Sequence, residues 1–144
     1  MVEFGKNMLI FAYLLILSIY DIREKKVPVS LLAAGGIGGL AVIGYGCIMG
    51  ENHLWHQVLG ILPGVFLVIV AWITKKAGYA DGILLGILGI IEGYRVGCLV
   101  LCFSLLILSG ASIILLFLHK VGRQTQIPYI PFLSGTYVLL HIFN

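Results

Sequence analysis

The distribution of apolar residues along the chain is the strongest constraint on its fold. Of its 144 residues, 60% are hydrophobic and only 10% are charged, whereas about a quarter of the residues of a soluble domain are charged. The apolar residues form six segments, each near the ~20 residues that one bilayer crossing requires, at positions 4–20, 27–49, 58–74, 77–91, 96–118 and 128–143. The sequence therefore predicts an all-α polytopic integral membrane protein with six transmembrane helices, in a single domain over residues 1–144.

The basic residues predict which side of the membrane each polar break faces. Seven of the nine fall in the first, third and fifth breaks, and these are Arg23, Lys25, Lys26, Lys75, Lys76, Lys120 and Arg123. Because cytoplasmic loops carry the excess of Lys and Arg, we expect these three breaks in the cytoplasm and both termini outside. The net charge of +3 is divided among short clusters, a pattern that indicates a lipid bilayer and no nucleic acid as partner.

Only two aspartates occur in the chain, and both stand at the edge of an apolar segment. The predicted orientation places Asp21 and Asp81 at the same membrane face. The segment 77–91 has fifteen residues, which is about 22 Å of helix against a hydrocarbon core of ~30 Å. Asp81 is therefore expected below the cytoplasmic surface, where a carboxylate is costly and usually functional.

Two carboxylates on one membrane face indicate acid–base chemistry on a peptide. An ionised carboxylate withdraws a proton from water while a protonated one donates to the scissile carbonyl oxygen, and two adjacent carboxyls share one proton because both cannot ionise cheaply. Other interpretations stay open at this point. Asp21 has the position to cap the next helix or to pair with Lys25. The chain also fits a non-catalytic scaffold, or a transporter subunit with Asp21 and Asp81 as a proton or cation site.

Glycines predict where the helices approach one another closely. The pairs Gly35-xxx-Gly39 and Gly60-xxx-Gly64 fit close helix contacts. Glycines also recur every four residues around Asp81, at positions 78, 82 and 86. A backbone without side chains allows a second backbone to approach the carboxylate, so we expect an extended substrate segment to bind beside Gly78, Tyr79, Ala80 and Gly82.

The strings around the two aspartates resemble those of the prepilin peptidase family, which are membrane aspartyl proteases of the GxGD type. The string from Asp21 to Pro28 resembles that family's Asp, six residues, then Pro-Asn, and 78–81 resembles its Gly-x-Gly-Asp. The string 127–133 looks like the Pro-x-x-Pro-Phe segment that opens the family's last span. Three residues depart from the family pattern: Val29 replaces Asn, Ala80 replaces the second Gly, and Ile83 replaces a frequent Lys.

The resemblance implies a small, peptidase-only member consisting of one membrane-embedded aspartyl peptidase domain. It implies that Asp21 and Asp81 are the catalytic pair and that the substrate is a type IV pilin-like precursor, whose leader is removed at the cytoplasmic face. The chain length is closest to that of the small peptidases of Flp-type pili. A bacterial cytoplasmic membrane is the expected location. Three cysteines without a Cys-x-x-Cys pair predict no metal, and no cofactor is expected. The sequence does not indicate an oligomeric state.

Overall fold

Nearly every described residue lies in an α-helix. The computed structural model describes residues 2–50, 54–75, 78–118 and 127–143. Within them the chain forms α1 (Val2–Glu24), α2 (Val29–Met49), α3 (Leu54–Leu59), α4 (Ile61–Thr74), α5 (Tyr79–Glu92), α6 (Tyr94–Phe117) and α7 (Ile130–Phe143). These described ranges contain no strand, which confirms the all-α prediction for them.

Four helical stretches are long and apolar enough to cross a membrane. They are Phe4–Glu24, Val29–Met49, Leu54–Thr74 and Tyr94–Phe117. The other two predicted spans correspond to α5 and α7, which have 14 residues each, or about 21 Å of helix. The fifth predicted break, with Lys120 and Arg123, lies outside the described residues, and so do Lys76 and positions 51–53.

Two boundaries differ from the sequence prediction. A polar break was expected to begin at Asp21, but α1 continues to Glu24. The next residue, Lys25, has a left-handed φ of 51°. The expected span 58–74 starts earlier and is divided at Gly60, whose N–H points at the carbonyls of both His56 and Gln57 at 3.1 and 3.0 Å. Hydropathy locates apolar side chains, whereas helix ends depend on backbone hydrogen bonds, and the two need not coincide.

The chain divides into two compact units. The first comprises Met1–Val27 and Cys102–Asn144, and so contains α1, α7 and most of α6. In it α1 packs against α7. The residues that α1 and α7 bury recur at helical spacing, as expected for amphipathic packing, and the apolar ones are Ile10, Leu14, Leu17, Ile130, Leu133 and Tyr137.

The second unit, Pro28–Leu101, is built around α5. Seven of the 14 residues of α5 are buried, including the run 84–89, so this helix is enclosed on most sides. It packs most extensively on α4, with α2 and α3 as further neighbours. The enclosure explains how a helix this short retains its place, because its side chains pack against protein rather than lipid.

Glycines bring α4 and α5 into backbone contact. A Cβ on Gly64 would overlap the backbone of Gly86 and lie 2.7 Å from the carbonyl oxygen of Gly82. Gly60 and Gly89 meet in the same way one turn further along. The prediction of close packing at Gly60 and Gly64 is therefore confirmed, and only glycine permits this helix separation.

We predict that Gly64→Ala destabilises the second unit by about 1–3 kcal/mol, because the added methyl group has no room between two backbones. Gly44→Ala is the matched control, since a Cβ there meets nothing within 4 Å. Thermal unfolding of the purified protein in detergent measures both. Equal melting temperatures for the two variants would contradict the backbone contact.

Candidate functional site

Asp21 lies on the buried face of α1. It continues the face formed by Leu14 and Leu17, at spacings of seven and four residues, and is only 8% exposed. Its Oδ2 accepts a hydrogen bond from the backbone N–H of Ile130 at 3.2 Å. The carboxylate at the end of α1 is thus bound to the first residue of α7.

At the start of α7, the string 128–131 leaves only two backbone N–H groups without a partner in the helix. The first N–H groups of any helix have no partner within it. Here Pro128 and Pro131 have no N–H at all, and those of Phe132 and Leu133 bond to the carbonyl of Tyr129 at 3.0 and 3.1 Å. The donors that remain are those of Tyr129 and Ile130.

The Asp21 carboxylate accepts hydrogen bonds from these remaining N–H groups. The N–H of Ile130 binds it directly, and the N–H of Tyr129 is also directed at the carboxylate. A negative charge at this position is favoured by the helix dipole of α7 as well as by the hydrogen bond. The Pro-x-x-Pro string, to which the sequence assigned no chemical role, therefore forms the binding site for Asp21.

The side chain of Tyr129 is fixed by α6. Its hydroxyl lies 2.6 Å from Oγ of Ser104 in a buried hydrogen bond. Ser104 is fully buried and Tyr129 is 7% exposed. Sequence reasoning missed both residues. The available signal was a hydroxyl within an otherwise apolar helix, since a buried hydroxyl requires a partner.

Asp81 occupies the third position of α5, in the second unit. Gly78 is the residue before the helix, and its carbonyl accepts from the N–H of Asp81 at 3.2 Å. The carboxylate folds back over Gly78, because a Cβ on that glycine would lie 3.0 Å from Oδ2. The carboxylate thus lies beside the start of its own helix, and Asp81 is half-buried.

The residues predicted to bind substrate differ in accessibility. Gly78 is exposed, Tyr79 is 49% exposed and Ala80 is half-buried. Gly82 is buried against α4, where a Cβ would lie 2.9 Å from the backbone nitrogen of Val68. The accessible backbone next to Asp81 is therefore the segment 78–80, while Gly82 permits close contact with α4.

Asp21 lies against the start of α7. Because α1 continues past Asp21 to Glu24, its carboxylate is on the face that meets α7. It accepts a hydrogen bond from a helix start 109 residues away. At the start of α2, Pro28 provides no side-chain cap.

The profile of a known protein family matches most of the chain. The sequence profile of the type IV leader peptidase family matches residues 8–119. The matched range includes both aspartates and Ser104, and it ends before the string at Pro128. No curated protein and no solved structure shows a significant match.

We predict that Asp21→Leu lowers the free energy of unfolding by about 1–3 kcal/mol, because it leaves the buried N–H of Ile130 without an acceptor. Asp21→Asn retains a carbonyl oxygen and should lose much less. Melting temperature and amide hydrogen exchange at Ile130 report the effect. The hydrogen bond would be refuted if exchange at Ile130 were the same in the Leu variant as in the wild type.

Proposed function

We propose that this chain, which belongs to the type IV leader peptidase family, is a membrane aspartic endopeptidase with Asp21 and Asp81 as its catalytic pair. Family membership makes it a leader peptidase-type protease, and its apolar helices make it a membrane protein. The observation that carries the aspartic mechanism is the burial of Asp21 at the end of a membrane helix, with backbone N–H groups as its partners. A carboxylate in such a place is costly and is retained for a function.

In the proposed mechanism the two carboxyls share one proton. The ionised carboxylate removes a proton from water as the water oxygen bonds to the scissile carbonyl carbon, and the protonated one donates to the carbonyl oxygen. The tetrahedral intermediate then collapses, the C–N bond breaks and the amine leaves with a proton from the pair. With Oδ2 of Asp21 bonded to Ile130, its Oδ1 would be the oxygen that reacts with water. The protonation equilibria belong to the pair rather than to either residue.

The proposed substrate is a type IV pilin-like precursor, in which a short basic leader precedes an apolar helix. Its leader backbone would lie extended beside Gly78, Tyr79 and Ala80, where the backbone next to Asp81 is accessible. Gly82 would contribute by allowing α5 to lie close to α4. The proposed substrates include Flp-type pilin precursors.

The proposed topology has six spans in one peptidase domain over residues 1–144, in a bacterial cytoplasmic membrane. The two short helices, α5 and α7, would cross with the four long ones. The excess of basic residues in the odd-numbered breaks supports a cytoplasmic site. Helices of 14 residues would cross where the membrane is locally thinned or where water enters it. A hydrolytic site requires such access of water.

We predict that Asp21→Asn and Asp81→Asn each reduce precursor cleavage by at least ~10²-fold, the usual loss when a catalytic proton-transfer group is removed. The assay co-expresses the full chain with a tagged precursor that carries a Lys/Arg-rich leader and an apolar helix, and follows leader removal by gel mobility. Glu24→Gln is the control, because Glu24 is an exposed carboxylate three residues from Asp21. Normal processing by either Asp variant would rule out the catalytic pair, and would favour a proton site or a scaffold.

We also predict that positions 21 and 81 can be cross-linked. In a chain whose native cysteines, Cys47, Cys98 and Cys102, are replaced by Ser, Asp21→Cys with Asp81→Cys should react with a short bifunctional thiol reagent. Ile16→Cys with Asp81→Cys is the matched control, because Ile16 is 46% exposed and lies about 140° around α1 from Asp21. Peptide mass spectrometry identifies the product. Equal yields from the two pairs would contradict the proposed dyad.

A further inference from the structure

We propose that Ser104 and Tyr129 form a positioning pair that orients the Asp21 carboxylate for catalysis. This inference rests on the proposed peptidase function and adds two residues that do not touch the reacting atoms. Both belong to the first unit, as Asp21 does. Their role would be to fix the backbone to which Asp21 is bonded.

The hydroxyl contact is short and excluded from solvent. Oγ of Ser104 and Oη of Tyr129 are 2.6 Å apart and buried. A hydrogen bond in a low-dielectric interior is electrostatically stronger than in water. Elsewhere on α6, Ser112 bonds to the carbonyl of Leu108 within its own helix at 2.8 Å. The hydroxyl of Ser104, by contrast, reaches a segment 25 residues away.

Tyr129 connects this contact to Asp21 through covalent geometry. Its ring is fixed by Ser104, and its carbonyl accepts from Phe132 and Leu133. The next residue is Ile130, whose N–H binds Oδ2 of Asp21. With both its ring and its carbonyl fixed, Tyr129 has little freedom, so the direction of the Ile130 N–H is also fixed.

The rate of the proposed reaction would depend on the position of the Asp21 carboxylate. A displacement of ~1 Å at a reacting group can cost about 10²-fold in rate. Loss of the Ser104–Tyr129 bond would let the start of α7 shift by a fraction of that distance and carry the Asp21 carboxylate with it. We therefore expect a smaller loss, of about 10-fold, in kcat and little change in KM.

A purely structural role makes a different prediction for the double variant. Removing one hydroxyl deprives the other of this hydrogen bond, whereas replacing both by apolar groups of similar shape is nearly neutral for stability. Ser104→Ala with Tyr129→Phe should thus recover the wild-type melting temperature. If the pair only stabilises the fold, cleavage recovers as well. If it positions Asp21, kcat stays low.

The experiment compares the purified full chain and its variants on the tagged precursor with the Lys/Arg-rich leader, measuring kcat, KM and melting temperature. We expect Ser104→Ala, Tyr129→Phe and the double variant to lose about 10-fold in kcat each, without additivity. Ser104→Thr keeps the hydroxyl and should retain most activity. Ser112→Ala, two turns further along α6, is the matched control and should leave kcat unchanged.

Two results would overturn the inference: wild-type kcat in the double variant, or wild-type kcat in Tyr129→Phe. Its failure is distinguishable from failure of the proposed function. If Asp21→Asn cleaves normally, the catalytic pair itself is wrong. If Asp21→Asn is inactive while Tyr129→Phe keeps wild-type kcat, only the positioning role is wrong.

Discussion

The hydrogen bond between the Asp21 carboxylate and the first N–H of α7 is the interaction on which the first unit depends. Lipid offers no partner to a backbone N–H, so each must be satisfied by protein or by enclosed water. The string 128–131 contains two prolines and so reduces the donors at this helix start, and Asp21 accepts from those that remain. One contact thus satisfies a helix terminus and a buried carboxylate, either of which would be costly alone.

In the second unit, different contacts determine the position of the Asp81 carboxylate. Asp81 folds back over Gly78 at the start of its own helix, and its surroundings come from the glycine contacts that bring α4 against α5. Backbone contact makes α5 a rigid element despite its 14 residues. It also explains why Gly82 is buried while the segment 78–80 stays accessible. The proposed mechanism would use both properties, because an extended peptide would have to reach a carboxylate held in place by its helix.

Much of this was predictable because it is encoded locally. Hydropathy predicted the helical, membrane-embedded character, and spacing predicted the contacts at Gly60 and Gly64. The strings around Asp21 and Asp81 predicted the family, which the profile match over 8–119 confirms. The end of α1 and the break at Gly60 were not predicted, because both depend on backbone hydrogen bonds that hydropathy does not report. Ser104 was overlooked because, in sequence, it is one hydroxyl among many apolar residues.

The sequence by itself determined that the chain is helical, which stretches are apolar enough for the membrane, and which family the chain belongs to. These properties are sums over neighbouring residues and need no knowledge of distant contacts. Only the tertiary structure decided what binds Asp21, because its partner Ile130 is 109 residues away. The same holds for Ser104 and Tyr129, which are separated by 25 residues. A hydrogen bond requires its two atoms within about 3 Å, and such proximity is a property of the packed helices rather than of spacing along the chain.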